Sequence, residues 1–332
     1  MTSRVWPIRR LVAVISTVVV GAATLGCSAP PPRIPSHLTL AAARIPLAIT
    51  ADSLFWRTLH AGDYEGIPRA LFTLQAAFLQ NPADAQTAAH VGFLHAWRIA
   101  ERSRMAQNSP LITDDAILAR RYFDQSESHA PSYDARIHGF DAVFRMIEGD
   151  IHRDPELWAD GLRHGREAIT AWPEFNWFTI GYVLSAKPDT SAYFREALEM
   201  QWKTVDACGR TKVDRANPTA EIALGALRME SDPLRKRACT NTWIAPHNME
   251  GFFLNMGDML VKSGNWRTAQ KVYLLARGAQ GVEGYSTWPF QDVLDARVRD
   301  AEQNVPAFRR DNGLLMFGSK FSCSACHQTV VR

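Results

Sequence analysis

The chain has 332 residues, 46% hydrophobic and 21% charged, with a formal net charge of +3. That composition is globular: it argues against a disordered chain and against an acidic or basic interaction tail, and nothing in it suggests nucleic acid as a partner. Beyond the N-terminal segments about 280 residues remain, enough for one elongated domain or two compact ones.

The first elements concern export. Arg4, Arg9 and Arg10 give a positive start, and Leu11–Leu25 is an apolar run that suits a signal segment and is short for a membrane span. It ends in Thr24-Leu25-Gly26-Cys27-Ser28, which resembles the lipobox of bacterial lipoproteins. Gly26 and Cys27 fit; Thr24 stands where that family prefers leucine. The resemblance implies that Cys27 becomes an acylated first residue. Ser28 is not the aspartate associated with inner-membrane retention, so it also implies an outer-membrane lipoprotein facing the periplasm of a bacterial envelope. An ordinary secreted protein, or an uncleaved anchor, is the other reading. Ala29-Pro30-Pro31-Pro32-Arg33-Ile34-Pro35 follows, and proline at this density favours an extended tether. The expected organisation is a signal peptide over 1–26, a Pro-rich tether over 27–50, a helical domain over 51–300 and a C-terminal segment over 301–332.

The body reads as all-α. Apolar residues recur at three- and four-residue spacing through Ile67–Leu79, Ala85–Ala100, Asp115–Ser126, Leu157–Ala171, Ala192–Asp206, Met249–Ser263 and Trp266–Ala279. Asn81-Pro82, Ala130-Pro131, Trp172-Pro173, Lys187-Pro188 and Ser263-Gly264 separate them. No run alternates like a strand, and no Gly-rich phosphate loop occurs. Phe253, Gly257, Leu260, Ala269, Tyr273 and Ala276 are spaced in a way that resembles the tetratricopeptide repeat. Ala70, Leu74 and Ala77 before Pro82, then Val91, Gly92 and His95, then Ala119, Phe123 and Ser126 before Pro131 repeat parts of it. Leu157–Val183 fits more loosely, and Asp206–Trp243 departs from it. The resemblance implies stacked helical hairpins, each covering its neighbour's apolar face, with a surface that binds a protein partner. An irregular helical bundle is the alternative.

Within the body, Cys208 and Cys239 form a leftover pair in a chain expected to leave the cytoplasm. They are expected to form a disulfide, the alternative being two isolated buried thiols. His90, His95, His138, His152 and His164 read as surface or interior histidines rather than metal ligands. Trp172, Phe175, Trp177 and Phe178, and likewise Trp288, Pro289 and Phe290, read as packing more readily than as a groove.

The most specific element comes last. Cys323-Ser324-Ala325-Cys326-His327 is a C-x-x-C-H motif, the pattern of c-type haem attachment. A chain of this composition yields it by chance about 0.002 times. In that chemistry the two thiols form thioethers with haem vinyl groups, and His327 is the proximal iron ligand. One covalent haem c is therefore the expected cofactor. His247 and Met316 are candidates for the opposite face of the iron, ahead of Met249, Met256 and Met259. A structural zinc site needs about four ligands, and only three are local; a thioredoxin-like dithiol needs a βαβ context, and none is visible. Since the motif has only Gln328–Arg332 after it, haem here is expected to pack against the preceding helices. The leading expectation is an envelope-anchored mono-haem c-type cytochrome whose repeats dock a redox partner for electron transfer. Two others differ in kind: a tetratricopeptide-like lipoprotein scaffold for envelope or secretion assembly, and a haem enzyme or sensor with an open iron site. No Ser-His-Asp or paired-carboxylate arrangement stands out, so a carrier or scaffold is favoured over an enzyme.

Overall fold

In the computed structural model, residues 44–104, 112–130, 134–218, 239, 244–279, 288–311 and 321–329 are described. Among them there is no strand. The helices are α1 (Pro46–Ala61), α2 (Ile67–Gln80), α3 (Ala85–Ala100), α4 (Ile112–His129), α5 (Ala135–His152), α6 (Pro155–Ala171), α7 (Pro173–Ser185), α8 (Ala192–Gly209), α9 (Asn248–Ser263), α10 (Trp266–Ala279), α11 (Gln291–Arg299), α12 (Val305–Arg310) and α13 (Ser324–His327). Single 3₁₀ turns lie at Tyr64–Gly66 and Arg102–Arg104.

Local chemistry sets where the helices start and stop. The Asp84 carboxylate accepts from the amides of Gln86 and Thr87, and Asp154 accepts from those of Glu156 and Leu157. Ser191 does the same for Phe194. Each such N-cap stabilises its helix by about 1 kcal/mol. Gly62 and Gly264 close α1 and α9 in the left-handed conformation, with φ of 62° and 88°.

All seven helices expected from periodicity are present, with ends shifted by at most a few residues. Of the other six, α1, α5, α11 and α12 were not expected, α7 was only loosely indicated, and α13 is the turn of the motif itself. The residues up to 50, expected as tether, are already helical from Pro46. The α5 helix buries residues on every side, among them Ile137, Asp141, Phe144 and Ile147; a helix without a polar face carries no 3.6-residue signal. The same holds for α7, where Ile180, Gly181, Tyr182, Val183 and Leu184 are buried in succession.

The most extensive packing joins neighbours in sequence: α3 with α4, α5 with α6, α7 with α8, and α9 with α10. Small residues let these helices approach. A Cβ at Gly92 would stand 2.9 Å from the Phe123 ring, and one at Gly257 would collide with the Tyr273 ring. Phe123 and Tyr273 are themselves fully buried, each ring contributing about 1.5–3 kcal/mol. Two hydrophobic clusters result. The larger runs from α3 to α13; the smaller joins α1 and α2 to Val91, Leu94 and Trp97 of α3. The aromatic residues of α7 pack rather than line a groove: Trp177 and Phe178 lie against the larger cluster, and Phe175 meets Phe140 with centroids 6.1 Å apart.

Buried charges are paired. Asp258, 1% exposed, accepts from the Tyr273 hydroxyl at 2.6 Å and from Arg297 Nε at 2.9 Å. His90 donates to Asp52 at 2.7 Å and His95 to Asp115 at 2.8 Å. Lys262, also 1% exposed, donates to the Ser185 carbonyl at the C-terminus of α7, at 2.8 Å, where the helix dipole favours a cation. Burial nevertheless lowers its pKa from 10.5 to about 8. The unfolded chain therefore binds more protons than the folded one between pH 8 and 10.5, and stability rises across that window. We expect urea-unfolding free energies of the wild type to gain about 2–3 kcal/mol on Lys262→Met between pH 8 and 10.5; a pH-independent difference would refute this account of Lys262.

Candidate functional site

The C-x-x-C-H motif folds as one turn. Cys323 is the N-cap of α13, and its carbonyl accepts from the amides of Cys326 at 3.2 Å and His327 at 3.0 Å. One turn of helix is not stable in isolation, so its position is set by what surrounds it.

At the leading end stands Glu101, fully buried, in the link between α3 and α4. Its Oε1 accepts from the amides of Cys323 and Ser324, both at 2.7 Å, and its Oε2 accepts from the Ser324 hydroxyl at 3.1 Å. Arg104 donates to the same oxygen at 2.8 Å and balances the charge. At the other end the carbonyl of Cys326 accepts from the amide of His247 at 2.9 Å, and the indole of Trp288 donates to the carbonyl of Ala325 at 2.8 Å. The amide of Thr329 donates to the carbonyl of His60 at 2.8 Å. Below the turn lies Gly251 of α9, where a Cβ would collide with Cys326 Sγ and the Ala325 backbone. Cys323 packs against both hydrophobic clusters, so the motif sits at their seam.

The three chemical groups have distinct states. His327 Nδ1 lies 2.7 Å from the carbonyl oxygen of Ile244. A carbonyl only accepts, so Nδ1 carries the hydrogen and Nε2 keeps a lone pair. His60 shares that acceptor, its Nε2 lying 3.1 Å away. Burial lowers the His327 pKa to about 4, so its imidazole is neutral at physiological pH. The Cys326 thiol is pushed up to about 12 by burial, with the Glu250 and Glu101 carboxylates adding to it. Burial and Glu101 also push Cys323 well up. Both are protonated, unpaired thiols.

These states bear on the chemistries the motif allows. A redox dithiol needs a thiolate, and both thiols here are held protonated. Among the described residues, no three His, Cys, Asp or Glu side chains converge to hold a metal ion. For a proximal haem ligand, His327 has what the role needs: a neutral ring whose tautomer is fixed by a backbone carbonyl. The two cysteines beside it are unpaired, though Cys326, 5% exposed, is closed in by α9.

Other expected site residues fall as follows. The imidazole of His247 lies at the N-terminus of α9, adjoining the motif through its backbone; it is 2% exposed, with Nδ1 3.1 Å from Glu250 and Nε2 without a partner among the described residues. Met249, Met256 and Met259 are buried in the larger cluster. Cys208 and Cys239 are joined in a disulfide, Cα atoms 5.7 Å apart, and the Cys239 carbonyl accepts from the Asn248 side chain at 3.1 Å. Cys27 and Met316 lie outside the described residues. Sequence reasoning missed Glu101, His60 and Ile244, which come from distant segments, and read Trp288 as packing without its bond to the motif. A signal existed for Gly251 alone, a glycine inside a helical pattern, which points to close packing.

No family model, no curated protein and no solved structure matches this chain.

The closeness of Gly251 to the turn has a measurable consequence. Gly251→Ala is expected to cost about 1–3 kcal/mol through overpacking and to speed amide hydrogen exchange at Cys326 and His327 more than at the buried centre of α5. Unchanged exchange at those two amides would show that the turn does not rest on α9.

Proposed function

We propose that this protein is an envelope-anchored c-type haem protein that transfers electrons, with Cys323 and Cys326 as thioether attachment points and His327 Nε2 as the proximal iron ligand. The observation that carries the reading is His327: neutral, with Nδ1 committed to the Ile244 carbonyl, and one helical turn from two unpaired cysteines. When bound, haem supplies a one-electron couple whose potential depends on ligation and burial. The chain itself holds the proximal imidazole in one tautomer and fixes the backbone of the motif through Glu101, Trp288 and His247. Cys323 and His327 are its partly exposed side chains of chemical interest, and a partner protein approaches from their side. His247, with a buried and unpartnered Nε2, is the better-supported candidate for the second iron ligand.

In this reading the helical body is a tetratricopeptide-like array that docks the redox partner. Recurrence of one contact supports it: a glycine on the first helix of a hairpin against an aromatic ring on the second, at Gly92 with Phe123 and at Gly257 with Tyr273. The second pair is separated by 16 residues and the first by 31, so the α3–α4 hairpin carries an insertion, and that insertion holds Glu101 and Arg104. Cys27 is the proposed lipid attachment point, which places the body at the periplasmic face of the outer membrane.

The test is a haem stain of the denatured, electrophoresed protein produced in bacteria with a c-type maturation system. The expected outcome is colour on the intact chain and none on the Cys323→Ala, Cys326→Ala double variant. An unstained chain with the motif intact refutes the haem reading and leaves a lipoprotein scaffold.

A further inference from the structure

Glu101 is separated from the motif by about 220 residues of sequence, yet it is the residue most committed to it. Its carboxylate is fully buried and accepts four hydrogen bonds, three of them from Cys323 and Ser324. The remaining donor, Arg104, is held beside it and lies 3.3 Å from the Ser324 hydroxyl. Removing either side of such a contact strands the other in a place without water, at a cost well above the net worth of the bonds. The carboxylate thus favours two states only: the turn seated with all donors matched, or the turn released and Glu101 returned to solvent.

The seated turn closes off its own sulfur. Cys326 is 5% exposed, its Sγ lies on the backbone of Gly251 and 3.7 Å from the Asn248 carbonyl, and Ala325 and Ser324 beside it are fully buried. No reagent reaches that sulfur without movement of the turn. We propose that Glu101 is a positioning residue that latches the Cys323–His327 turn onto α9, so that the reactivity of Cys326 is governed by release of this latch rather than by unfolding of the helical body. The functional consequence rests on the haem reading: covalent chemistry at Cys326 belongs to the released turn.

The inference is tested on the full chain without haem, so it can fail while the haem reading stands, and the reverse. Native-state alkylation by iodoacetamide is followed by tandem mass spectrometry of the 321–332 tryptic peptide, whose fragments separate Cys326 from Cys323, beside urea unfolding of the body by far-UV circular dichroism. Wild type is expected to react slowly. Glu101→Gln keeps the shape and one acceptor oxygen but loses the charge; it is expected to react at least about tenfold faster, at a rate that stays nearly flat across sub-denaturing urea, and Glu101→Ala faster still. Equal rates in wild type and Glu101→Gln overturn the proposal. So does a rate that climbs with urea along the slope of global unfolding, because exposure then runs through unfolding of the body. Should Glu101→Ala fail to fold, Glu101→Gln and the wild-type rate alone decide.

Discussion

A four-residue helix cannot hold itself together, and the C-x-x-C-H motif of this protein is placed on one. Forming a single turn fixes several backbone dihedrals for one or two hydrogen bonds, which is unfavourable in water. The Cys323–His327 turn therefore exists because its backbone groups are matched from outside. Glu101 takes the amides at its start, while Trp288 and His247 supply donors to the carbonyls of Ala325 and Cys326. Each partner comes from a different segment, so the motif keeps its geometry only while the helices around it stay packed.

That packing follows from a simple steric condition. Hairpins close where a residue without a Cβ faces a ring, as Gly257 faces Tyr273. Close approach buries polar groups as well, and several are matched across helices: Asp258 with Arg297, His95 with Asp115, Lys262 with the carbonyl end of α7. The α9 helix joins the two themes. Its Gly257 admits the Tyr273 ring and its Gly251 admits the motif, so one helix both closes a hairpin and seats the turn.

Burial also decides the chemical character of the motif. In water a cysteine thiol ionises near neutral pH readily enough to act as a nucleophile. Here desolvation, with Glu101 and Glu250 nearby, holds both thiols in the protonated form. The same desolvation keeps His327 neutral. An imidazole with one nitrogen bound to a carbonyl and the other bearing a lone pair is a ligand, and protonated thiols are poor redox catalysts. These environments, which the letters C-x-x-C-H do not reveal, set the protonation of the three groups.

Seven helices and the motif itself were legible in the chain, because amphipathic periodicity and local spacing are local properties. Among the helices that escaped, α5 is buried all round, where the periodic signal vanishes, while α11 and α12 are short and bury only Leu294 and Phe308. The α1 helix escaped because it opens within a segment read as tether. His247 could be singled out from its place before a helix; that it adjoins Cys326 through its backbone could not. Glu101 had no signature at all, since a glutamate at the end of a helix is ordinarily solvated. The sequence by itself determined the helical class, the attachment-type motif and the pairable cysteines. Only the tertiary structure decided which buried carboxylate holds the motif, which carbonyl fixes the tautomer of His327 and how far each thiol is closed to solvent. Those properties arise from groups distant in sequence and brought together in a dry interior, where a matched hydrogen bond is strong and an unmatched one is costly.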